Sequence, residues 1–320
     1  MISIPWTEKY KPNKLDEIYG NKDIIKRFKL YVKNKNLSHL ILAGDTGIGK
    51  TSSIRCLAKE LIDNDLYQDA VLELNASEDR GINTVRTRIK MFAQKKIFLK
   101  KSPFKVIVLD ESDSMTAGAQ QALRRIIEKY THNTRFIFIC NDVNQIIEPI
   151  QSRCSIYKMQ NIDDNEIANI LKKICNIEKI EYNDEGINSL LLTSPGDIRK
   201  AINNLQSTYS GYKTITSENV LKICDIPEPK LLEEVIDFIK QNNFINAMKS
   251  INNISGMGFS NNDIINTLFY IIKKQKFKKE KKKLLLIKEL GITNIRIINC
   301  IDSKLQIFGM LVRMCNIYNT

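Results

Sequence analysis

Eight consecutive residues, Gly44-Asp45-Thr46-Gly47-Ile48-Gly49-Lys50-Thr51, satisfy the pattern G-x-x-x-x-G-K-[ST] in full. These are the residue types that a phosphate-cradling loop needs. Glycines let backbone N–H groups turn inward around phosphate oxygens, Lys50 carries positive charge to the outer phosphates, and the Thr51 hydroxyl is a ligand for Mg2+. The expected nucleotide contacts are therefore Gly44, Asp45, Thr46, Gly47, Ile48, Gly49, Lys50, Thr51 and Ser52. Further along, Val106-Ile107-Val108-Leu109 runs into Asp110-Glu111, two carboxylates at the end of an apolar segment. Asp110 is expected to share the Mg2+ with Thr51, and Glu111 to polarise an attacking water, the role that separates a hydrolase from a nucleotide-binding scaffold. Asn141 ends another apolar run and could orient the same water or bind the terminal phosphate. On its own, an Asn in that place is an ordinary turn residue.

These groups converge only if the chain builds a sheet whose strand ends lie side by side. Leu40 to Ala43, Val71 to Leu74, Val106 to Leu109 and Phe136 to Cys140 are short apolar runs separated by helical patterns, which predicts buried parallel strands in an α/β domain. The loop at 44–51 then sits between a strand and a helical stretch from Ser52 to Leu61, where the helix N-terminus adds its positive dipole. After about Met159 helical periodicity takes over, with Ile167, Ile170, Leu171 and Ile174 on one face and a break at Ser194-Pro195-Gly196. Asp225-Ile226-Pro227-Glu228-Pro229 marks a hinge before a third, all-helical part, because two prolines this close stop a helix. The expected division is 1–158, 159–225 and 226–320.

Forty-nine Lys and Arg against 36 Asp and Glu give a formal charge of +13, which favours a polyanionic partner over an acidic small substrate. Asn, Ile and Lys are abundant throughout, so part of the lysine excess is compositional. The lysine-rich stretch from Lys273 to Lys283 is read as a solvated face or loop. Seven single cysteines, no C-x-x-C pair and two histidines argue against a zinc site or a disulfide framework. No stretch approaches the roughly 18 apolar residues of a membrane span, and the expectation is an intracellular, soluble protein without a membrane partner.

Five segments carry a more specific likeness: Pro5-Trp6-Thr7-Glu8-Lys9-Tyr10-Lys11-Pro12, Leu74-Asn75-Ala76-Ser77-Glu78-Asp79-Arg80-Gly81, Asp110-Glu111-Ser112-Asp113-Ser114-Met115-Thr116, Glu148-Pro149-Ile150-Gln151-Ser152-Arg153-Cys154 and Gly196-Asp197-Ile198-Arg199-Lys200. In this order they resemble the sequence boxes of replication factor C small subunits. The resemblance continues through Asn203 to Thr208 and Ser217 to Val220 and, more weakly, to the C-terminus, pointing to one particular small subunit of the eukaryotic-type loader.

The resemblance implies a AAA+ RecA-like parallel-sheet ATPase core, a small helical lid and an all-helical collar. It further implies ATP and Mg2+ as cofactors, a hetero-pentamer with other replication factor C subunits, a sliding clamp and primer-template DNA as partners, and a nuclear location if the host is a eukaryote. By position, Arg153 matches an arginine finger acting in trans on the neighbouring subunit's ATP. Arg199 and Asn141 match the two phosphate sensors, and Thr7 and Tyr19 fall at the adenine pocket. Arg80 and Arg86 match residues facing the DNA backbone. On a helix from about Asn83, Val85, Ile89 and Phe92 form the expected buried stripe while Arg86 and Lys90 share another face. The far end of this helix, Met91 to Phe98, lies near the clamp in the family. Two departures from the family pattern stand out: Asp45-Thr46 replace frequent prolines, and Gln145 replaces a frequent lysine toward DNA. Two alternatives stay open, a non-hydrolysing ring member that only lends Arg153, and a AAA+ branch-migration or helicase-type motor.

Overall fold

The four apolar runs and one further segment form the five parallel strands of the described residues: β1 (Leu40–Ala43), β2 (Val71–Asn75), β3 (Lys105–Asp110), β4 (Thr134–Cys140) and β5 (Ser155–Lys158), ordered β2-β3-β4-β1-β5. The computed structural model describes residues 4–77, 82–95, 97, 102–275, 277, 280–299 and 302–319. Because side chains alternate along a strand, each central strand feeds two cores at once. Leu40, Leu42, Val106, Val108, Ile137 and Ile139 enter one face, and Ile41, Ala43, Ile107, Leu109, Phe136 and Phe138 the other. Double-sided burial explains why these segments are nearly continuous apolar runs. β5 carries no such run. Of its residues only Tyr157 is buried, and the strand pairs with β1 alone at the sheet edge.

The parallel register sets the site. Ala43 lies opposite Cys140, and Leu109 opposite Phe138, so the carboxyl ends of β1, β3 and β4 stand at one level. Open parallel sheets bind ligands at this edge. At the start of β3 the buried Lys105 donates to the carbonyls of Phe92 (2.6 Å), Ala93 (2.8 Å) and Lys95 (2.6 Å), closing the C-terminal end of helix Ile82–Gln94. All three ammonium hydrogens thereby find acceptors, and the last carbonyls of that helix find a donor.

Two compact units result: 1–179 with 194–206, and 180–193 with 207–320. In the first, Ile167, Ile170, Leu171 and Ile174 are buried along helix Asp164–Glu178, as their spacing predicts. In the second, five helices share one apolar core: Pro229–Lys240, Phe244–Gly256, Asn261–Lys274, Glu280–Asn299 and Lys304–Asn319. Pro229 opens the first of them at its N-terminal turn, where a missing N–H costs nothing. Among the described residues no helix is long and apolar enough to cross a membrane.

His39, immediately before β1, accepts the Phe136 N–H at Nδ1 (3.1 Å). Burial, with the Arg135 charge beside it, pulls its pKa down to about 4. An unfolded histidine titrates near ~6.5, so between these values the unfolded chain binds a proton that the folded chain refuses. Stability should be full above about pH 6.5 and fall by roughly 3 kcal/mol as pH drops toward 4. Urea unfolding at pH 7 and pH 4.5 checks this. The His39→Gln protein should lose most of that part of the slope, and an undiminished slope would rule His39 out as its source.

Candidate nucleotide-hydrolysis site

β1 ends where the glycine loop begins, and helix Lys50–Leu61 starts where it ends. Gly47 and Gly49 have φ of +72° and +88°, conformations that side-chain-bearing residues adopt only under strain. Lys50 is the first residue of the helix and is buried. Its ammonium donates to the Gly44 carbonyl (2.6 Å), the Asp45 carbonyl (2.7 Å) and Asn141 Oδ1 (2.9 Å). Burial lowers its pKa, an effect opposed by Asp110, Cys140, Asp113 and Asp45. Lys50 and Asn141, 91 residues apart, thus meet at the adjoining ends of β1 and β4.

Thr51 donates its hydroxyl to Asp110 Oδ2 (2.8 Å), joining the loop to the end of β3. Asp110 Oδ1 accepts the Glu111 N–H (2.9 Å), so the backbone itself aims this carboxylate. Glu111 is exposed and has φ +51°, a left-handed conformation that costs a residue with a Cβ about 1 kcal/mol or more and recurs at functional sites. Asp113 Oδ2 accepts the Asn141 N–H (2.9 Å), which fixes the end of β4 against the turn after β3. The result is a buried cation with carboxylates, an amide and a hydroxyl arranged along one sheet edge. The Thr51 and Asp110 oxygens are hard donors of the kind that suits Mg2+.

The remaining expected nucleotide contacts lie in the same unit. Thr7 is half-buried in helix Trp6–Lys9, a segment anchored by the Trp6 N–H to Gln206 Oε1 (2.9 Å) and the Tyr10 hydroxyl to Glu178 Oε1 (2.6 Å). Tyr19 is half-buried, and Arg199 is exposed near the start of helix Ile198–Tyr212. The Ile198 N–H donates to the Gly47 carbonyl (3.2 Å), tying that helix start to the glycine loop.

Residues 40–160 match the family of ATPases associated with various cellular activities, AAA, and residues 227–313 match the replication factor C C-terminal domain. Replication factor C subunit 4 of Schizosaccharomyces pombe is 44% identical over 97% of this chain and 91% of its own. Subunit 4 of Saccharomyces cerevisiae is 43% identical over 99% and 98%. The chain belongs to the replication factor C small-subunit family. A putative replication factor C small subunit of Acanthamoeba polyphaga mimivirus is also similar, at 39% identity over 98% of this chain and 97% of its own. In fold, the chain is similar to the Thermotoga maritima RuvB Holliday junction branch migration motor, with a TM-score of 0.56 at 19% identity over 72% of this chain and 80% of that one.

Against the replication factor C pattern, Arg153 follows helix Glu148–Gln151 and is partly exposed. It donates to Glu128 Oε1 (2.7 Å) and the Pro149 carbonyl (2.7 Å), an external position distinct from the cluster around Lys50. Burial pushes the thiol of the neighbouring Cys154 up to about 12, away from the thiolate form. Lys90 is exposed and lines a groove of about 630 Å³ together with Gln121, Arg124, Arg125, Glu128 and Lys129. Of the expected helical stripe, Ile89 is buried and Phe92 packs against the core. Arg80 lies outside the described residues, and Arg86 lies in helix Ile82–Gln94 with only its backbone described.

Asp197 is a site residue that motif reading passed over. An added Cβ on Gly47 would lie 1.8 Å from Asp197 Oδ1, so the carboxylate fills the space a side chain would need. The same oxygen accepts the Lys200 N–H (2.9 Å) and caps helix Ile198–Tyr212. Its sequence signal was an Asp before a helix after Pro-Gly, which reads as a cap and nothing more. Gly47→Ala should therefore lower stability by about 2 kcal/mol or more, from backbone strain and the clash together. The same change should cost at least about 1 kcal/mol less in an Asp197→Ala background. Thermal unfolding of the two single variants and the double variant measures this coupling, and strict additivity would refute the contact.

Proposed function

We propose that this subunit binds and hydrolyses ATP as part of a sliding-clamp loader that opens the clamp and closes it on primer-template DNA. Family membership over nearly the whole chain supports the loader, and the meeting of Lys50, Thr51, Asp110 and Asn141 at one sheet edge carries the hydrolysis. We place the subunit in a hetero-pentamer with other replication factor C subunits, nuclear in a eukaryotic host. The working division is a core to residue 158, a lid to 225 and a collar beyond.

The loop amides and Lys50 hold the β- and γ-phosphates, with Lys50 exchanging the Gly44 and Asp45 carbonyls for phosphate oxygens of greater charge. The Thr51 hydroxyl and Asp110 carboxylate would hold Mg2+, which supplies charge neutralisation across the phosphates when bound. Glu111 accepts a proton from the attacking water as its oxygen bonds to the γ-phosphorus and the bond to the β-phosphate oxygen breaks, releasing ADP and phosphate. Asn141 contacts the terminal phosphate while its backbone stays fixed by Asp113. Arg199 reports phosphate state to helix Ile198–Tyr212, in whose first turn it lies. Thr7 and Tyr19 border the adenine.

Arg153 acts on the ATP of the adjoining subunit, where a guanidinium stabilises charge on the transferred group. Arg80, Arg86 and Lys90 follow the phosphate backbone without base readout, as a loader indifferent to sequence requires. The basic groove beside Lys90 supports that assignment.

In a complex reconstituted with Glu111→Gln in this subunit alone, hydrolysis at this site should fall by roughly a hundredfold while ATP binding persists. An unchanged rate would make the site a binding scaffold. Arg153→Ala should slow the adjoining site by at least about tenfold and leave nucleotide affinity in its own subunit intact. Weakened ATP binding in the variant's own subunit would contradict a trans role.

A further inference from the structure

Arg153 does not project as an unsupported side chain. Its Nη2 donates to Glu128 Oε1 (2.7 Å) and its Nη1 to the Pro149 carbonyl (2.7 Å). A guanidinium is planar and carries five N–H donors. Bonds from both Nη atoms, with Nη1 also reaching Ser152 Oγ (3.4 Å), set the plane of the group and leave the Nε hydrogen and the second Nη2 hydrogen for another acceptor. Glu128 is itself steadied from behind. Its Oε1 also accepts Arg124 Nε (3.2 Å), one turn earlier on helix Ala117–Tyr130. Two guanidiniums share a single carboxylate, and the cluster keeps a net positive charge toward an anion.

From this geometry we infer that Glu128 is a positioning residue for the trans arginine finger, with Arg124 holding Glu128 in place. The inference rests on Arg153 acting in trans. The exposure of the trio suits that work. Arg153 is 36% exposed, Arg124 41% and Glu128 42%, so a neighbouring subunit's phosphate can reach the finger without unburying anything. A solvent-exposed ion pair is weak enough to adjust its geometry when a phosphate arrives. Glu128 never meets phosphate and acts only by narrowing the orientations that Arg153 samples beforehand. A long, unheld arginine would have to lose that freedom in the transition state.

The test is a double-mutant cycle in the reconstituted loader, with single-turnover hydrolysis followed at the site that receives Arg153. Glu128→Gln should slow that step roughly three- to fivefold, the scale of one exposed charge pair, with nucleotide affinity at both sites unchanged. Glu128→Asp, which keeps the charge, should recover part of the rate. The double variant with Arg153→Ala should be no slower than Arg153→Ala alone. If Arg153→Ala slows the step but Glu128→Gln does not, or if the two effects multiply, Glu128 has no positioning role and the finger stands without it. If Arg153→Ala itself has no effect at the adjoining site, the trans reading and this inference fall together.

Discussion

The 2.8 Å hydrogen bond between Thr51 and Asp110 depends on β1 and β3 flanking β4 with their carboxyl ends level. It joins residues separated by 59 positions, and the rest of the nucleotide site is arranged around it. A slip of one residue in any of these strands would send its core side chains to the opposite face. The two apolar cores, one on each side of the sheet, forbid such a slip. Packing therefore enforces the chemistry: the same burial that stabilises the sheet fixes the hydroxyl, the carboxylate and the amide to within hydrogen-bonding distance.

Within that frame, charge is organised by hydrogen bonds that the backbone supplies. Lys50 rests on two loop carbonyls, Asp110 is aimed by the Glu111 N–H, and Asn141 is anchored through Asp113. Asp110 and Asn141, held in this way, need little rearrangement as charge develops on a phosphate, the condition under which electrostatic stabilisation is largest. The link from the glycine loop to helix Ile198–Tyr212 passes through one carbonyl and one carboxylate, Gly47 and Asp197. Arg153 has its supports elsewhere, on Glu128 and Pro149, apart from the cluster around Lys50.

Much of this was legible in the residues because the physics behind it is local. The central strands β1, β3 and β4 announced themselves by apolar runs, since burial on both faces leaves little room for a polar side chain, and the edge strand β2 by a shorter one. The stripe of Ile167, Ile170, Leu171 and Ile174 was equally plain from helical spacing. The edge strand β5 was missed because Ser155-Ile156-Tyr157-Lys158 is short and mostly unburied. That Lys50, Thr51, Asp110 and Asn141 meet was legible because each lies in a motif or at a strand end. The contacts of Asp113, Asp197, Glu128 and Lys105 were not, since each has its partner in a different element. An Asp beside a glycine's missing side chain, or a buried lysine closing the preceding helix, leaves no periodic trace in the sequence.

The central claim is that this chain completes a nucleotide site within a clamp-loading ring. Isolation of the protein with its native partners, followed by mass measurement of the intact assembly with ATP, tests it most directly. The account predicts five different subunits in one particle that retains a ring-shaped DNA clamp with ATP and releases it after hydrolysis on primed DNA. A particle of identical subunits that moves along DNA with ATP and never retains a clamp would contradict it.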